Sequence, residues 1–304
     1  MPNYNQAHFI GHALQGILNQ TLLPQEIIVI DDGSTDNSLE VIESVLKKVN
    51  TLRLVKKDKN QGVITAINDG MALAKGKYVY FAAADDYAFP SFLREAATFL
   101  ENNPQAGLCS SLTRVIDAGG NDKGILKTPK VIKTPGYISN VMCEKYLMKY
   151  GNWIQSNAAL YRRETLNQIG GFPPQLKSYA DSFVNLSLAL SDGVCFIPEA
   201  LCAWRRLEDG FSAKNSNDPI AFWQIIENTS ELMQLSEKRV FCGKFIKNWK
   251  KKMIKQFINN IHETSLEKTE IFENLTNGDS LVKICLNFHK FFYAGVKIIS
   301  KLAP

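Results

Sequence analysis

The sequence predicts an α/β protein in which a mostly parallel β-sheet is flanked by helices and followed by a helical C-terminal appendage. Three observations support this fold class. Short strand-like runs alternate with helical segments through the first half of the chain. Two of these runs end in acidic pairs, Asp31-Asp32 and Asp85-Asp86. After about Asn217, helical periodicity dominates and lysines gather, so the expected domains are residues 1–216 and 217–304.

Turn and cap residues mark the ends of the predicted strands and helices in the first half of the chain. EIIVI is predicted to be a buried parallel strand ending in a tight turn at Gly33, and Ser34 or Asp36 can cap the next helix. Gly76 lies just past a second helix and Pro90 opens a third. Three further strands are expected at TLRLVKK, KYVYFAAA and AGLCSSLTRVID. Ligands of such sheets bind beyond the carboxyl ends of strands, where both acidic pairs lie.

The second half is expected to be less regular at first. Residues 119–151 are predicted to form loop and helix over the sheet. A strand and a short helix that ends at a Gly-Gly pair are then predicted within NWIQSNAALYRRETLNQIGGF. YADSFVNLSLALSDG is typical of an amphipathic helix, and VCFIPEALCAWRR of a strand. A last helix is expected at residues 281–302, with Lys283, Lys290 and Lys297 on one stripe.

Composition limits the class and the compartment. The chain has 304 residues, 45% hydrophobic and 21% charged, as in an ordinary globular protein. Residues 217–304 contain 13 Lys and Arg against 9 Asp and Glu, which is +4 of the net +5. The six cysteines form no Cys-x-x-Cys pair, which favours free buried thiols. With no signal peptide and no apolar run of about 18 residues, we expect a cytoplasmic protein.

The Asp85-Asp86 pair predicts a divalent metal site. Carboxylates at a strand end are suited to Mg²⁺ or Mn²⁺, and such an ion bridges the phosphates of a bound diphosphate. The alternative is a helix cap before Pro90. Asp31-Asp32 offers a second acidic strand end, which can accept hydrogen bonds from a base or a ribose, or can simply cap a turn. Capping would have to explain each acidic pair separately, whereas a single ligand site explains both pairs, so we favour the ligand site.

Five segments together resemble glycosyltransferase family 2, whose members have the GT-A fold, a Rossmann-like sheet flanked by helices. The resemblance covers roughly residues 1–213. The segments, in family order, are PNYNQAHFIGHALQGILNQT, EIIVIDDGSTDNS, NQGVITAINDGMALAKGKYVYFAAADDYAFP, SNAALYRRETLNQIGGF and YADSFVNLSLAL. The resemblance implies an inverting transferase that moves a sugar from a nucleotide-diphosphate donor, commonly a UDP-sugar, to a glycan, lipid-linked or other hydroxyl acceptor. Hexosyl and N-acetylhexosaminyl transfer are both open.

The resemblance also assigns nucleotide contacts. Pro2 and Tyr4 would line the nucleobase pocket, and Asp32 would contact uracil or an equivalent base. Asn60 and Gly62 lie where the family approaches the nucleotide.

Three further carboxylates and two arginines complete the expected site. Asp85 matches the metal-ligating second Asp of the family's Asp-X-Asp motif, with Asp86 beside it, and would hold Mn²⁺ or Mg²⁺. Asp181 matches the general base; an ionised Asp can take the acceptor's hydroxyl proton, although an N-cap role is the local alternative. Arg205 and Arg206 are candidates for the diphosphate, and surface ion pairing explains either arginine equally well.

Two departures favour a rival hypothesis. Ala83 occupies the first position of Asp-X-Asp, and Met1 directly precedes Pro2, where the family has an apolar first strand. Either the native start lies upstream and supplies the first strand, or the chain is a truncated, catalytically inactive GT-A module that binds nucleotide sugars, which is the alternative function. A nicotinamide-dependent dehydrogenase is excluded because no Gly-x-Gly-x-x-Gly fingerprint follows a first strand.

The basic tail allows three interpretations. Lysines between residues 238 and 255 interleave with Phe, Ile and Trp, as in a helix that lies on a membrane surface. Such contact would place the enzyme peripherally on the inner face of the membrane, in polysaccharide biosynthesis of the cell envelope. The alternative without a partner is that the apolar faces of these helices pack on the catalytic domain and the lysines are simply exposed to solvent. Nucleic acid is not expected as a partner, since no recognised motif accompanies the charge.

Overall fold

The computed structural model describes residues 1–207, 218–236 and 241–262, together with Thr276. The chain divides into two compact units, Met1–Leu207 and Glu208–Pro304. The boundary expected between residues 216 and 217 and the helix expected at 281–302 lie outside the described residues.

The first unit is a mixed α/β structure, in agreement with the predicted fold class. Its strands are β1 (Pro2–Asn3), β2 (Ile27–Asp31), β3 (Leu52–Lys56), β4 (Tyr78–Tyr80), β5 (Tyr87–Ala88), β6 (Leu108–Ile116), β7 (Asp122–Ile125), β8 (Gly136–Ile138), β9 (Ala159–Arg162) and β10 (Val194–Arg205). Its α-helices are α1 (Ala7–Leu18), α2 (Ser38–Leu46), α3 (Val63–Leu73), α4 (Phe92–Asn102), α5 (Asn140–Tyr150), α6 (Arg163–Gln168) and α7 (Ala180–Ser191), with 3-10 helices at Ser156–Ala158 and Pro174–Tyr179.

The first sheet is parallel and has the order β1-β2-β3. Asn3 of β1 pairs with Asp31 of β2, which in turn pairs with Lys56 of β3. The carboxyl ends of all three strands therefore meet at one edge, as expected for a sheet that presents a ligand site there. β1 contributes two residues to this ladder, and an apolar cavity of about 590 Å³ lies next to it, between β2 and β4.

The second sheet has the order β4-β9-β6-β10-β5, with β7 on β6 and β8 on β10. β6 and β10 run parallel, whereas β9, β5, β7 and β8 each pair antiparallel with their neighbours. The antiparallel pairs bring the turn before β5 against the end of β10, because Ala203 is in register with Tyr87. This register positions the second acidic pair.

Several elements differ from the sequence prediction. β4 ends at Tyr80, so the predicted strand KYVYFAAA is shorter, and residues 81–84 run on without a ladder. The region 119–151, expected to be loop and helix, also contains β7 and β8. Both are edge strands of three or four residues, too short to show a period in the sequence.

The core of the first unit is continuous from α1 through the sheets to α4. Its fully buried members include Ile10, Leu14, Val29, Phe92 and Leu100. Cys109, Cys143, Cys195 and Cys202 are buried free thiols, as predicted, and Cys242 is an exposed one. Burial of these side chains fixes the strands whose ends carry the candidate site.

The second unit contains two described helices, α8 (Pro219–Leu235) and α9 (Gly243–His262). The Asp218 side chain caps α8 by accepting hydrogen bonds from the backbone N–H groups of Ile220 and Ala221. Phe222 stacks on Phe257 with ring centroids 4.2 Å apart, so the two helices pack through their apolar faces. No helix in the described part of the chain has both the length and the apolarity needed to cross a bilayer.

Candidate functional site

Asp31 stabilises the turn after β2, and both of its carboxylate oxygens already accept hydrogen bonds from neighbouring residues. The residue is 1% exposed. Its carboxylate accepts hydrogen bonds from Asn3 Nδ2 at 2.7 Å and from the backbone N–H and the hydroxyl of Ser34 at 2.9 and 2.7 Å. This leaves its neighbour Asp32 as the ligand candidate of the pair.

Asp32 joins the turn after β2 to the loop that precedes α3. Its Oδ2 accepts hydrogen bonds from the backbone N–H groups of Gln61 at 3.0 Å and Gly62 at 2.8 Å. Its Oδ1 is buried and receives no hydrogen bond from the described residues, although the ammonium of Lys57 lies 3.2 Å away. The carboxylate is thus oriented by the backbone with one oxygen still able to accept an N–H.

Lys57 belongs to this cluster, and sequence reasoning missed it. Its ammonium lies 2.6 Å from Asp69 Oδ2, and its side chain is 11% exposed. Burial lowers the pKa of Lys57, but the carboxylates of Asp69 and Asp32 outweigh burial and raise it. The residue directly follows β3, so the rule that selected the acidic strand ends would also have selected Lys57.

The other predicted nucleotide contacts lie around the same edge. Pro2 is in β1, and Tyr4, which is 41% exposed, follows it. Asn60 Oδ1 accepts the backbone N–H of Gly62 at 2.9 Å. Gly62, with φ of 96°, begins α3 from a conformation that favours glycine. The structure therefore brings Asn60 and Gly62 to Asp32 through shared hydrogen bonds.

Asp85 and Asp86 lie in the turn between β4 and β5. Asp86 is 5% exposed, and its Oδ1 accepts the backbone N–H of Arg205 at 2.8 Å. Burial, and then the neighbouring charge of Asp85, raise the pKa of Asp86 to about 8. Burial also raises the pKa of Asp85, against the opposing effect of Arg205. Two adjacent carboxylates that resist ionisation are suited to binding a cation.

The two candidate arginines differ in what they can reach. Arg205 is 5% exposed, and its guanidinium donates hydrogen bonds to the backbone carbonyls of Asp85, Asp117 and Ala118 at 2.9 to 3.0 Å. It also lies over the ring of Phe9, 4.7 Å from the centroid. Arg206 is exposed. Arg205 therefore stabilises the acidic turn through hydrogen bonds to backbone carbonyls, whereas the side chain of Arg206 faces solvent.

The donor set of the acidic turn fits a hard divalent ion. No cluster of three or more His, Cys, Asp or Glu residues capable of holding a metal exists in the part of the chain that the structure describes. Asp85 and Asp86 provide two adjacent carboxylates, and Mg²⁺ and Mn²⁺ typically use one or two carboxylates together with substrate phosphates. Burial raises the pKa of both carboxyl groups, and a cation bound beside them would favour their ionised forms.

Asp181 lies in the first turn of α7, beside a hydrogen-bonded cluster. Burial raises the pKa of Asp181, while hydrogen bonds from Ser156 and Ser182 oppose the rise. The hydroxyl of Tyr161 donates to Asn185 Oδ1 at 2.8 Å, and Asn185 Nδ2 donates to Ser156 Oγ at 2.9 Å. Sequence reasoning missed Ser156 and Asn185, because their partners are 24 to 29 residues distant and no local pattern links them.

The two sheets and their helices are those of the GT-A fold class. Residues 1–170 match the family described as "Glycosyl transferase family 2". The chain belongs to glycosyltransferase family 2. It is 31% identical over 210 residues to a protein named "Uncharacterized glycosyltransferase" from Haemophilus influenzae, covering 66% of this chain and 62% of that protein. The chain thus spans less than two thirds of the length of this curated relative.

Solved structures confirm the GT-A fold. S. aureus TarS 1-349 in complex with UDP-GlcNAc superposes with a TM-score of 0.69 at 18% identity, covering 90% of this chain and 77% of that one. The mannosyltransferase PcManGT from Pyrobaculum calidifontis, in complex with GDP-Man and Mn²⁺, gives a TM-score of 0.54 at 17% identity, covering 97% and 84%. The predicted family and fold class are therefore confirmed.

Proposed function

We propose that this protein transfers a sugar from a UDP-sugar to a hydroxyl acceptor with inversion at the anomeric carbon, assisted by Mn²⁺ or Mg²⁺. The observation that carries the proposal is that the 3-10 helix Ser156–Ala158 contacts the elements of both candidate groups. Asn185 of α7, the helix that contains Asp181, donates to Ser156 Oγ at 2.9 Å. Asn157 Nδ2 donates at 3.0 Å to Thr113 Oγ1, which bonds β10, the strand whose last residue donates its backbone N–H to Asp86. These contacts support a base and a metal-binding turn that serve one substrate.

The nucleotide would bind at the carboxyl edge of the first sheet. Asp32 Oδ1 would accept an N–H of the base, because its partner oxygen is already occupied by backbone N–H groups. Pro2 and Tyr4 would line the base, with Asn60 and Gly62 on its other side. UDP-GlcNAc bound to TarS and GDP-Man bound to PcManGT support a nucleoside diphosphate donor of this type.

The diphosphate would bind beside Asp85 and Asp86, with the exposed Arg206 as its side-chain cation. Asp85 is the stronger candidate for the ion, because one oxygen of Asp86 is occupied by the N–H of Arg205. A metal bound there would neutralise charge on the leaving diphosphate. Mn²⁺ in the PcManGT complex supports this choice of cation.

Asp181 would be the general base. It would take the proton of the acceptor hydroxyl as that oxygen bonds to the anomeric carbon and the bond from this carbon to the diphosphate breaks. The raised pKa makes Asp181 a stronger proton acceptor than an exposed carboxylate. Direct displacement by one nucleophile inverts the anomeric configuration.

The acceptor would be a glycan or a lipid-linked sugar of the cell envelope, with the second unit in peripheral contact with an anionic membrane surface. α9 contains six lysines and no Asp or Glu. Lys244, Lys247 and Lys251 lie along one stripe, opposite the buried Phe245 and Trp249. Since the aromatic residues are already packed, the contact would be electrostatic and would weaken as salt is added.

A donor panel tests the proposed activity. Wild-type protein and Asp181→Asn are incubated with UDP-hexoses and UDP-N-acetylhexosamines, with and without Mn²⁺, and released UDP is measured. We expect metal-dependent release from at least one donor by wild type and none by the variant. NMR of the product would show an inverted anomeric centre. Retention of configuration, or release that ignores both Mn²⁺ and Asp181, would contradict the proposal.

The inactive binding module is the second candidate, and Ala83 is the observation that favours it. If the chain only binds nucleotide sugars, UDP will bind in calorimetry while no donor in the panel is consumed. If it is an enzyme, binding and turnover will share the same nucleotide preference and the same metal requirement. Vesicles with and without anionic lipid, at low and high salt, test the membrane contact separately.

A further inference from the structure

Lys57 is a buried cation that has no part in the proposed reaction. Its side chain is 11% exposed, and its backbone N–H donates to the carbonyl of Asp31 at 2.9 Å. This bond continues the pairing of β2 with β3, so Lys57 lies directly beside the strand end that carries Asp32. Lysine is seldom buried unless a charged partner compensates it, so its partners indicate its role.

The ammonium of Lys57 lies between two carboxylates from different elements. It is 3.2 Å from Asp32 Oδ1 and 2.6 Å from Oδ2 of Asp69, a residue of α3. The Asp32 side chain is 3% exposed, whereas the Asp69 side chain is 45% exposed. Asp69 therefore anchors the lysine at the surface, and the contact with Asp32 is the buried one.

The two carboxylate oxygens of Asp32 have different surroundings. Oδ2 accepts the backbone N–H groups of Gln61 and Gly62 at 3.0 and 2.8 Å. Oδ1 is buried and accepts no hydrogen bond from the residues that the structure describes, while Lys57 supplies a positive charge beside it. A buried acceptor without a donor is costly, and an N–H of a bound base would satisfy it. The carboxylate is thus held in one orientation, with its negative charge compensated.

We propose that Lys57 is a positioning residue for nucleobase selection, which acts through Asp32 and makes the site select a base with a ring N–H. This inference rests on the proposed function. An ionised carboxylate can only accept hydrogen bonds. Uracil presents an N–H at N3, whereas cytosine presents an unprotonated nitrogen there, which would place one acceptor against another at Asp32 Oδ1. The ammonium of Lys57 compensates the charge of Asp32 and need not touch the base.

The affinities of UDP and CDP measure this selection, because the two ligands are similar in size and differ in the base edge that Asp32 would contact. In calorimetry with Mn²⁺, we expect wild type to bind UDP more tightly than CDP by about tenfold or more, the effect of one hydrogen bond to a charged group. Lys57→Met leaves a buried carboxylate without its cation and should lower the ratio of the two affinities about tenfold. Lys57→Arg keeps the charge and should retain most of the ratio.

Two further variants separate positioning from folding. Lys57→Gln removes the charge but keeps a polar side chain, so it should also lower the ratio and can replace Lys57→Met if that variant does not fold. Lys56→Met is the matched control, because Lys56 is the neighbouring lysine at the end of β3, is exposed and pairs with Glu43. Its ratio should equal that of wild type.

An unchanged ratio in a folded Lys57→Met or Lys57→Gln variant would overturn the inference. This holds even if both affinities fall together, because equal losses indicate a structural role only. Wild-type protein that binds UDP no more tightly than CDP would also overturn it. Wild-type protein that binds neither nucleotide would defeat the proposed function, and the inference with it.

Discussion

Gly33→Ala should separate the two loops that form the nucleotide edge. Gly33 has φ of 77°, where an alanine costs roughly 1–2 kcal/mol. A Cβ at this position would lie 2.8 Å from the backbone Cα and carbonyl carbon of Lys59 and 3.0 Å from the N of Asn60. Because ordinary contact begins at 3.4 Å, the backbone of residues 59–60 must move by about 0.6 Å, and it cannot swing aside as a side chain would.

The overlap adds about 1–3 kcal/mol of packing strain to the backbone cost. The displaced segment directly precedes Gln61 and Gly62, whose N–H groups orient Asp32. We therefore expect Gly33→Ala to lower the free energy of unfolding by about 2–5 kcal/mol and to weaken UDP binding at least tenfold.

Gly124→Ala is the matched control, because Gly124 has φ of 91° but a Cβ there would meet no atom within 4 Å. Gly124→Ala should lower the free energy of unfolding only by the cost of the backbone conformation, about 1–2 kcal/mol, and should leave UDP binding unchanged. Urea unfolding gives the stabilities and calorimetry gives the affinities. Equal stabilities for the two variants, or wild-type UDP affinity in Gly33→Ala, would refute the reasoning.

Two further predictions concern charged groups. Asp181→Asn should abolish transfer, keep UDP binding and raise the melting temperature at pH 8 more than at pH 5. Because the pKa of Asp181 is raised in the folded protein, the protonated carboxyl group favours folding. This stabilisation is lost as pH rises through the folded-state pKa, and an asparagine does not lose it. A melting temperature that falls at pH 8 would contradict this sign. Lys57→Met leaves the carboxylates of Asp32 and Asp69 without their cation and should destabilise the protein by about 1–3 kcal/mol, measured by urea unfolding. Wild-type stability of this variant would show that the ion pairs contribute nothing.

Local sequence signals predicted the parts of the site that lie at strand ends. Asp32 follows the β-branched run of β2, and the βα alternation was sufficient to predict its place at the edge of a parallel sheet. Asp85 instead lies in a turn beyond the end of β4. The same signal as at Asp32 is present at Lys57, which directly follows β3, but a lysine is not a metal ligand and its position alone does not indicate a ligand site. The family and the α/β class followed from motifs that are contiguous in sequence.

The remaining features depend on contacts between distant residues. β8 joins the second sheet by pairing Ile138 with Val194, and three residues give no readable period. From sequence alone, Ser156 and Asn157 are simply polar residues before a strand; their hydrogen-bond partners Asn185 and Thr113 are brought to them by tertiary packing. The inward direction of Arg205 was equally hidden, since its partners are backbone carbonyls of a turn and a loop.

Metal-dependent binding of UDP tests the central claim most directly. Calorimetry of wild-type protein and Asp85→Asn with UDP, in the presence of Mn²⁺ or of a chelator, separates the contribution of the acidic turn from that of the nucleotide edge. We expect Mn²⁺ to strengthen UDP binding to wild type at least tenfold and to leave Asp85→Asn nearly unchanged. Equal affinity of wild type with Mn²⁺ and with chelator, or an equal gain in the variant, would contradict the account.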